Sequence, residues 1–256
     1  MASVTTILSR RAFIGTAGSL ALAAALRHRV VTQELPNARL SARPRRPSQR
    51  WKVGTTKLWE GKSSAYLHVP QSYTPSKPIS LLIALHGAGG RSNGPLRLWT
   101  PHADDAGFAL LVPESTGTTW DAIRGLYSDD VGTIDRALDM TFDRLAVDPG
   151  RITLAGFSDG ASYSLGLGLM NADLFPRLMA NSPGFITRYA RQRPGPRPAV
   201  FVSHGRRDPI LPFDNAVGRV VPQLRAEGCE VDFREFDGGH TVPVSILREA
   251  VKFVTG

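Results

Sequence analysis

A single cysteine, Cys229, in 256 residues rules out an internal disulfide, so the stability of the chain must come from a packed core. No histidine stands at a cysteine-hydrolase spacing from it, and Cys229 reads as a packing residue. The sequence also has no HExxH segment, no cysteine pairs at zinc-ligand spacing and no GxGxxG turn after a strand. Neither a metal nor a dinucleotide cofactor is implied. No internal repeat is visible. The uncharged run Ala12 to Leu26 covers 15 residues, short of the roughly 20 that a membrane span needs, so no stable span is expected.

Arginine is plentiful but unevenly spread. Against a net charge of +9, residues 1–50 hold nine arginines and one acid, Glu34, leaving +1 on the remainder. The domain itself therefore carries no electrostatic footprint for phosphates, and nucleic acid is not an expected partner. Ser9-Arg10-Arg11-Ala12-Phe13-Ile14 resembles a twin-arginine export signal; the apolar run follows it, and Ala23-Ala24-Ala25 supplies small residues for cleavage. The chain accordingly divides into a signal peptide over 1–26, a flexible Arg- and Pro-rich linker over 27–50 and one domain over 51–256. An exported, periplasmic or secreted protein is expected, handed to the export machinery by its N-terminus. The alternative is a membrane anchor through an uncleaved signal.

From residue 51 the pattern alternates. Strands are expected at 52–58, 64–69, 79–85, 109–112, 151–155, 178–181, 199–203 and 230–236. Helices are expected at 96–106, 130–145, 161–170, 215–226 and 243–254. Strands alternating with helices imply an α/β fold, a mostly parallel sheet with helices on both faces. A chain of this length suits one such domain.

Gly156-Phe157-Ser158-Asp159-Gly160 joins an apolar strand to a helix. A serine on so tight a turn is forced outward at the top of the sheet, and the small residues flanking it allow the turn. A serine hydroxyl is a poor nucleophile until a histidine takes its proton, and that histidine needs an acid to set its tautomer. Asp208 follows the strand Ala199 to Val202, and His240 sits in the loop after the strand that ends at Phe236. Alone, Asp208 reads equally well as a turn residue before Pro209, and His240 as an ordinary loop histidine. Together they supply the order Ser, Asp, His at successive strand ends. His28, His68, His102 and His204 fit that order less well.

The apolar strand Ile79 to Leu85 ends in His86-Gly87-Ala88-Gly89-Gly90. Its glycines let backbone amides approach a substrate oxygen, and the amides of Ala88 and Asp159 are the expected oxyanion donors. Trp120, Leu126, Tyr127, Phe185 and Ile210 lie on strand-end loops and are candidates to line a substrate pocket, though each reads as well as packing. Arg188, Arg191, Arg193 and Arg197 sit between the sixth and seventh strands, where a solvated loop is the stronger reading.

Leu85-His-Gly-Ala-Gly-Gly90, Gly156-Phe-Ser-Asp-Gly160, His204-Gly-Arg-Arg-Asp-Pro209 and Gly238-Gly-His240 together resemble the phospholipase/carboxylesterase group of α/β-hydrolases, near polyhydroxybutyrate-depolymerase-like and dienelactone-hydrolase-like esterases. Asp129-Asp130-Val131 and Val147 to Ile152 also resemble the depolymerase and feruloyl-esterase branch. The resemblance spans about residues 60–255. It implies an α/β-hydrolase fold and a serine esterase that cleaves small carboxylic esters with Ser158, Asp208 and His240, without a cofactor. Asp159 and Ala161 stand where acyl-protein thioesterases more often carry Gln and Gly. A thioesterase or peptidase on the same triad, or a binding protein on a hydrolase fold, stays open; a haloalkane-type enzyme would need an Asp in place of Ser158.

Overall fold

The computed structural model describes residues 38–61, 63–189 and 195–256. The expected signal segment, the stretch 27–37, and Arg191 and Arg193 lie outside the described residues.

Eight strands form one sheet: β1 (Gly54–Lys57), β2 (Ala65–Val69), β3 (Ile79–Leu85), β4 (Ala109–Pro113), β5 (Val147–Phe157), β6 (Arg177–Asn181), β7 (Ala199–Gly205) and β8 (Glu230–Phe236). Their order across the sheet is β1-β2-β4-β3-β5-β6-β7-β8. β2 runs antiparallel to both of its neighbours, β1 and β4; from β4 through β3, β5, β6 and β7 to β8 every pairing is parallel.

The long apolar runs follow from this topology. All seven residues of β3 are buried: Leu81, Ile83 and Leu85 face one core, whereas Leu82 and Ala84 face the other. In β4, Ala109 and Leu111 share the first core while Leu110 and Val112 share the second. A parallel strand covered on both faces has no side to leave polar. The first core takes in α3 (Asp129–Phe142), α4 (Asp159–Met170) and α6 (Val221–Ala226), and the second takes in α1 (Asn93–Ala106) and α7 (Val244–Thr255).

Most expected elements appear within a few residues. A further short helix, α2 (Asp121–Arg124), is too brief to leave a periodic signal. The helix expected over 215–226 is broken into α5 (Phe213–Asn215), a π-helical turn (Ala216–Val220) and α6. Pro222 lies in the first turn of α6, where its missing N–H interrupts the regular bonding ladder.

The described part of the expected flexible linker is instead tied to the domain. Ala38, Leu40 and Ala42 are buried in the first core. Between them, Arg39 and Arg43 pair with Asp173, and Ser41 donates to Asp135. Arg45 reaches Asp139 and Asp143, and the Asn171 side chain bonds the backbone of both Ala38 and Leu40. Ala38, Leu40 and Ala42 alternate with Arg39, Ser41 and Arg43, so one side fits the core and the other finds carboxylates. Composition alone reads such a stretch as a linker. No helix among the described residues is long and apolar enough to cross a membrane.

Candidate active site

At the carboxyl end of β5 the chain turns abruptly into α4. Ser158 takes up the turn with φ 57° and ψ −120°, a left-handed φ that few residues other than glycine adopt. Two features hold it there: its N–H donates to the Asn181 carbonyl at 2.9 Å, and its own carbonyl accepts from Ser162 N–H at 3.0 Å. The flanking glycines are steric necessities. A Cβ on Gly156 would lie 2.1 Å from the Gly160 carbonyl oxygen, and one on Gly160 would lie 2.4 Å from that of His86. Asp159 opens the helix, so its N–H has no intrahelical partner, and its carboxylate accepts from Thr119 Oγ1 at 2.7 Å.

The loop after β3 is set by a buried histidine. His86 Nε2 accepts the Ser115 amide at 3.1 Å, so Nδ1 carries the proton and donates to the Gly87 carbonyl at 2.9 Å. Burial pushes the His86 pKa down, which keeps this neutral tautomer. In a trans peptide the C=O and the following N–H point opposite ways. Holding the Gly87 carbonyl therefore aims the Ala88 N–H away from His86, and that amide has no partner among the described residues. The loop after β4 backs this arrangement: Gly89 N–H donates to the Thr118 carbonyl at 2.6 Å, and Trp120 Nε1 donates to the His86 carbonyl at 2.8 Å. Buried Asp130 fastens that loop in turn by accepting the amides of Thr116 and Asp121.

Asp208 and His240 lie on the loops after β7 and β8, which are adjacent in the sheet. His240 Nδ1 is 2.6 Å from Asp208 Oδ2. The other oxygen, Oδ1, accepts the amides of Ile210 and Leu211, each at 2.9 Å. Burial by itself would raise the Asp208 pKa. The hydrogen bonds from His240, Leu211 and Ile210 outweigh it and hold the carboxyl below its ordinary value. An ionised acid accepts only, so Nδ1 of His240 carries the proton and Nε2 is left as a base. The Phe157 ring lies against His240, with centroids 4.7 Å apart.

His204, set aside on chain order, also belongs to this neighbourhood. Its Nε2 donates to the Leu211 carbonyl at 2.8 Å and lies 3.4 Å from Asp208 Oδ2, while its Nδ1 is buried with no partner. Burial lowers its pKa. Its position one residue past Ser203 on an apolar strand was the only sequence signal for a buried histidine here.

A cavity of about 530 Å³ opens beside these loops. His86, Gly87, Ala88 and His240 line it, together with the apolar side chains of Leu98, Trp99, Phe157 and Val242. Ser158 is not itself among the lining residues but lies next to Gly87, which is: a side chain on Gly87 would come within 3.3 Å of the Ser158 Cβ. The five residues expected to line a pocket do not line this cavity. Trp120 is fully buried, stacked between His86 and Tyr163. Tyr127 bonds Thr187 through its hydroxyl at 2.6 Å. Leu126, Phe185 and Ile210 are exposed, Ile210 at 64%. A strand-end position selects the correct rim of the sheet but not the side of it on which the loops leave space. Leu98 and Trp99, on α1, gave no sequence signal beyond helical apolarity. Arg197 donates to the Glu227 carbonyl at 2.7 Å, away from the cavity lining. Among the described residues, no group of His, Cys, Asp and Glu is arranged to hold a metal ion.

No family model matches the chain. Feruloyl esterase C of Emericella nidulans is 31% identical over 172 residues, covering 64% of this chain and 62% of that protein. A poly(3-hydroxybutyrate) depolymerase of Ralstonia pickettii is 29% identical over 150 residues, covering 50% of this chain and 31% of that one. The chain thus spans under two thirds of the length of the curated relatives it matches. Among solved structures, the Bacillus cereus carboxylesterase superposes with a TM-score of 0.59 at 18% identity, over 75% of this chain and 93% of that one. The shared architecture is the α/β-hydrolase fold that the motifs implied.

Proposed function

We propose that this chain, an α/β-hydrolase by fold, hydrolyses carboxylic esters through an acyl-enzyme on Ser158. The observation that carries the reading is the 2.6 Å contact between His240 Nδ1 and Asp208 Oδ2, on the strand-end rim where the strained turn also presents Ser158. His240 Nε2 takes the Ser158 proton as the hydroxyl oxygen attacks the ester carbonyl, and the imidazolium is stabilised by Asp208. The amides of Ala88 and Asp159 receive the developing oxyanion: the first is aimed by His86, and the second sits at the positive end of α4. Collapse of the tetrahedral intermediate expels the alcohol, which leaves with the proton from His240. Water, deprotonated by the same nitrogen, then releases the acid and restores Ser158.

The relatives named as esterases and a depolymerase support this class of substrate. The test is a p-nitrophenyl ester series of rising acyl length, run beside a feruloyl ester and a peptide amide, with mass spectrometry of the protein after treatment with a fluorophosphonate. Ester turnover with the adduct on Ser158 is the expected result. An adduct elsewhere, or turnover that persists in a folded Ser158→Ala variant, overturns it. Arg10 and Arg11 direct export of the folded enzyme, supported by the paired arginines, the apolar run after them and the charge concentrated before residue 51. Replacing both with lysine keeps charge but removes the guanidinium forks and should abolish export in cell fractionation; unchanged export refutes it.

A further inference from the structure

We propose that the cavity beside Ser158 selects esters carrying a carboxylate or similar anionic group, held at its rim by Arg91 and Arg97. This rests on the esterase reading and names the kind of ester. Twenty residues line the cavity; Arg91 and Arg97 are among them, and none is Asp or Glu. Both arginines are exposed, and neither has an ion-pair partner among the described residues. Elsewhere on the domain Arg39, Arg43, Arg45, Arg151, Arg206, Arg207 and Arg234 each meet a carboxylate, while Arg46, Arg50, Arg219, Arg225 and Arg248 likewise form no ion pair among the described residues; Arg91 and Arg97 are set apart by lining the cavity.

Glu114 forms no ion pair with Arg91; its oxygens accept from the amide and hydroxyl of Ser92 and from the hydroxyl of Ser64. A guanidinium that forms no ion pair, placed at the mouth of a cleft without carboxylates, is available to a ligand anion and matches a carboxylate in a planar fork. The first turn of α1, whose Asn93, Gly94 and Pro95 also line the cavity, contains no acidic residue to cancel the helix's positive end. Below the rim, Leu98, Trp99, Phe157 and Val242 offer an apolar wall. The shape of the expected substrate follows: an apolar body against that wall, a reacting carbonyl at Ser158, and a negative charge several atoms away at the rim.

Two matched substrate pairs place the charge on either side of the scissile bond. On the acyl side, p-nitrophenyl butyrate is compared with mono-p-nitrophenyl glutarate; on the alcohol side, phenyl acetate is compared with 4-acetoxybenzoate. The readout is the ratio of kcat/KM for the anionic member to that for its neutral partner. Changing Arg91→Gln and Arg97→Gln together should lower this ratio about fivefold or more for at least one pair, as expected for losing partly exposed charge-assisted contacts. Added salt should lower the wild-type ratio in the same direction. Arg97→Lys in the Arg91 background should keep part of the preference, because charge survives while the fork is lost. If neutral esters turn over and the ratio stays within about twofold of wild type for both pairs, the anion site is refuted and the esterase reading stands. If the wild-type protein turns over none of the four substrates, the esterase reading fails, and this proposal with it.

Discussion

Replacing Asp208 with asparagine tests the proposed relay, because the structure dictates which way the new amide must face. Oδ1 of Asp208 accepts two backbone amides, from Ile210 and Leu211, and Oδ2 faces His240 Nδ1. In the variant, the NH₂ group cannot occupy the Oδ1 position, where it would set donor against two donors and leave them buried and unpaired at about 1–3 kcal/mol each. The carbonyl oxygen therefore stays with the amides, and the NH₂ group is turned toward His240. A donor there forces Nδ1 to become the acceptor, so the ring proton moves to Nε2. Nε2 is then unable to take the Ser158 proton. The expected loss in kcat is on the order of 10⁴, equivalent to about 5.5 kcal/mol of barrier. Because the loop's amides keep their acceptor, the melting temperature should change little. The assay is kcat on an activated ester under saturating conditions, with circular dichroism to verify folding. A folded Asp208→Asn enzyme within about tenfold of wild-type kcat would refute the tautomer argument.

Other outcomes follow from the same geometry. Gly160→Ala drives a Cβ to 2.4 Å from the His86 carbonyl and 2.6 Å from that of Leu85, both backbone atoms, and should cost about 3 kcal/mol or more in urea unfolding. Gly132→Ala, in α3 with open space around it, should instead stabilise by about 0.5–1 kcal/mol; a loss there would contradict the helix geometry. His86 and His204 both have folded-state pKa values lowered by burial, so the unfolded chain binds their protons first as pH falls. Their contribution to stability is full above the ordinary histidine value of about 6.5 and is lost as pH drops from there toward the folded values. The melting temperature should fall over that window, and less steeply in His204→Phe; an unchanged slope would remove His204 from the account. Burial pushes the Cys229 thiol up to about 11, so native protein at pH 8 should label with a thiol reagent far more slowly than unfolded protein, and equal rates would refute its burial.

Much of this protein is decided locally, and the sequence by itself determined those parts. The run Ile79 to Leu85 is apolar at every position but Ser80 because both faces of β3 are covered, so a parallel sheet was readable in the sequence. The glycines around Ser158 and after His86 mark where backbone must approach backbone, a constraint on residue type that leaves a motif. The expected order Ser158, Asp208, His240 rested on a related signal, since each follows a strand, apolar in β5 and β7 and alternating in β8. Tertiary structure alone decided what depends on which loops lie side by side. It buried Trp120 under His86, directed the cavity toward α1 and left Leu126, Phe185 and Ile210 in solvent. It also brought His204 to the acid and bound the arginines of 39–45 to Asp173, Asp139 and Asp143, about a hundred residues away. Periodicity reports which face of an element is buried. Which distant carboxylate an arginine meets, and where a cleft remains open, is set only when the sheet assembles in the order β1-β2-β4-β3-β5-β6-β7-β8 and its loops are forced into contact.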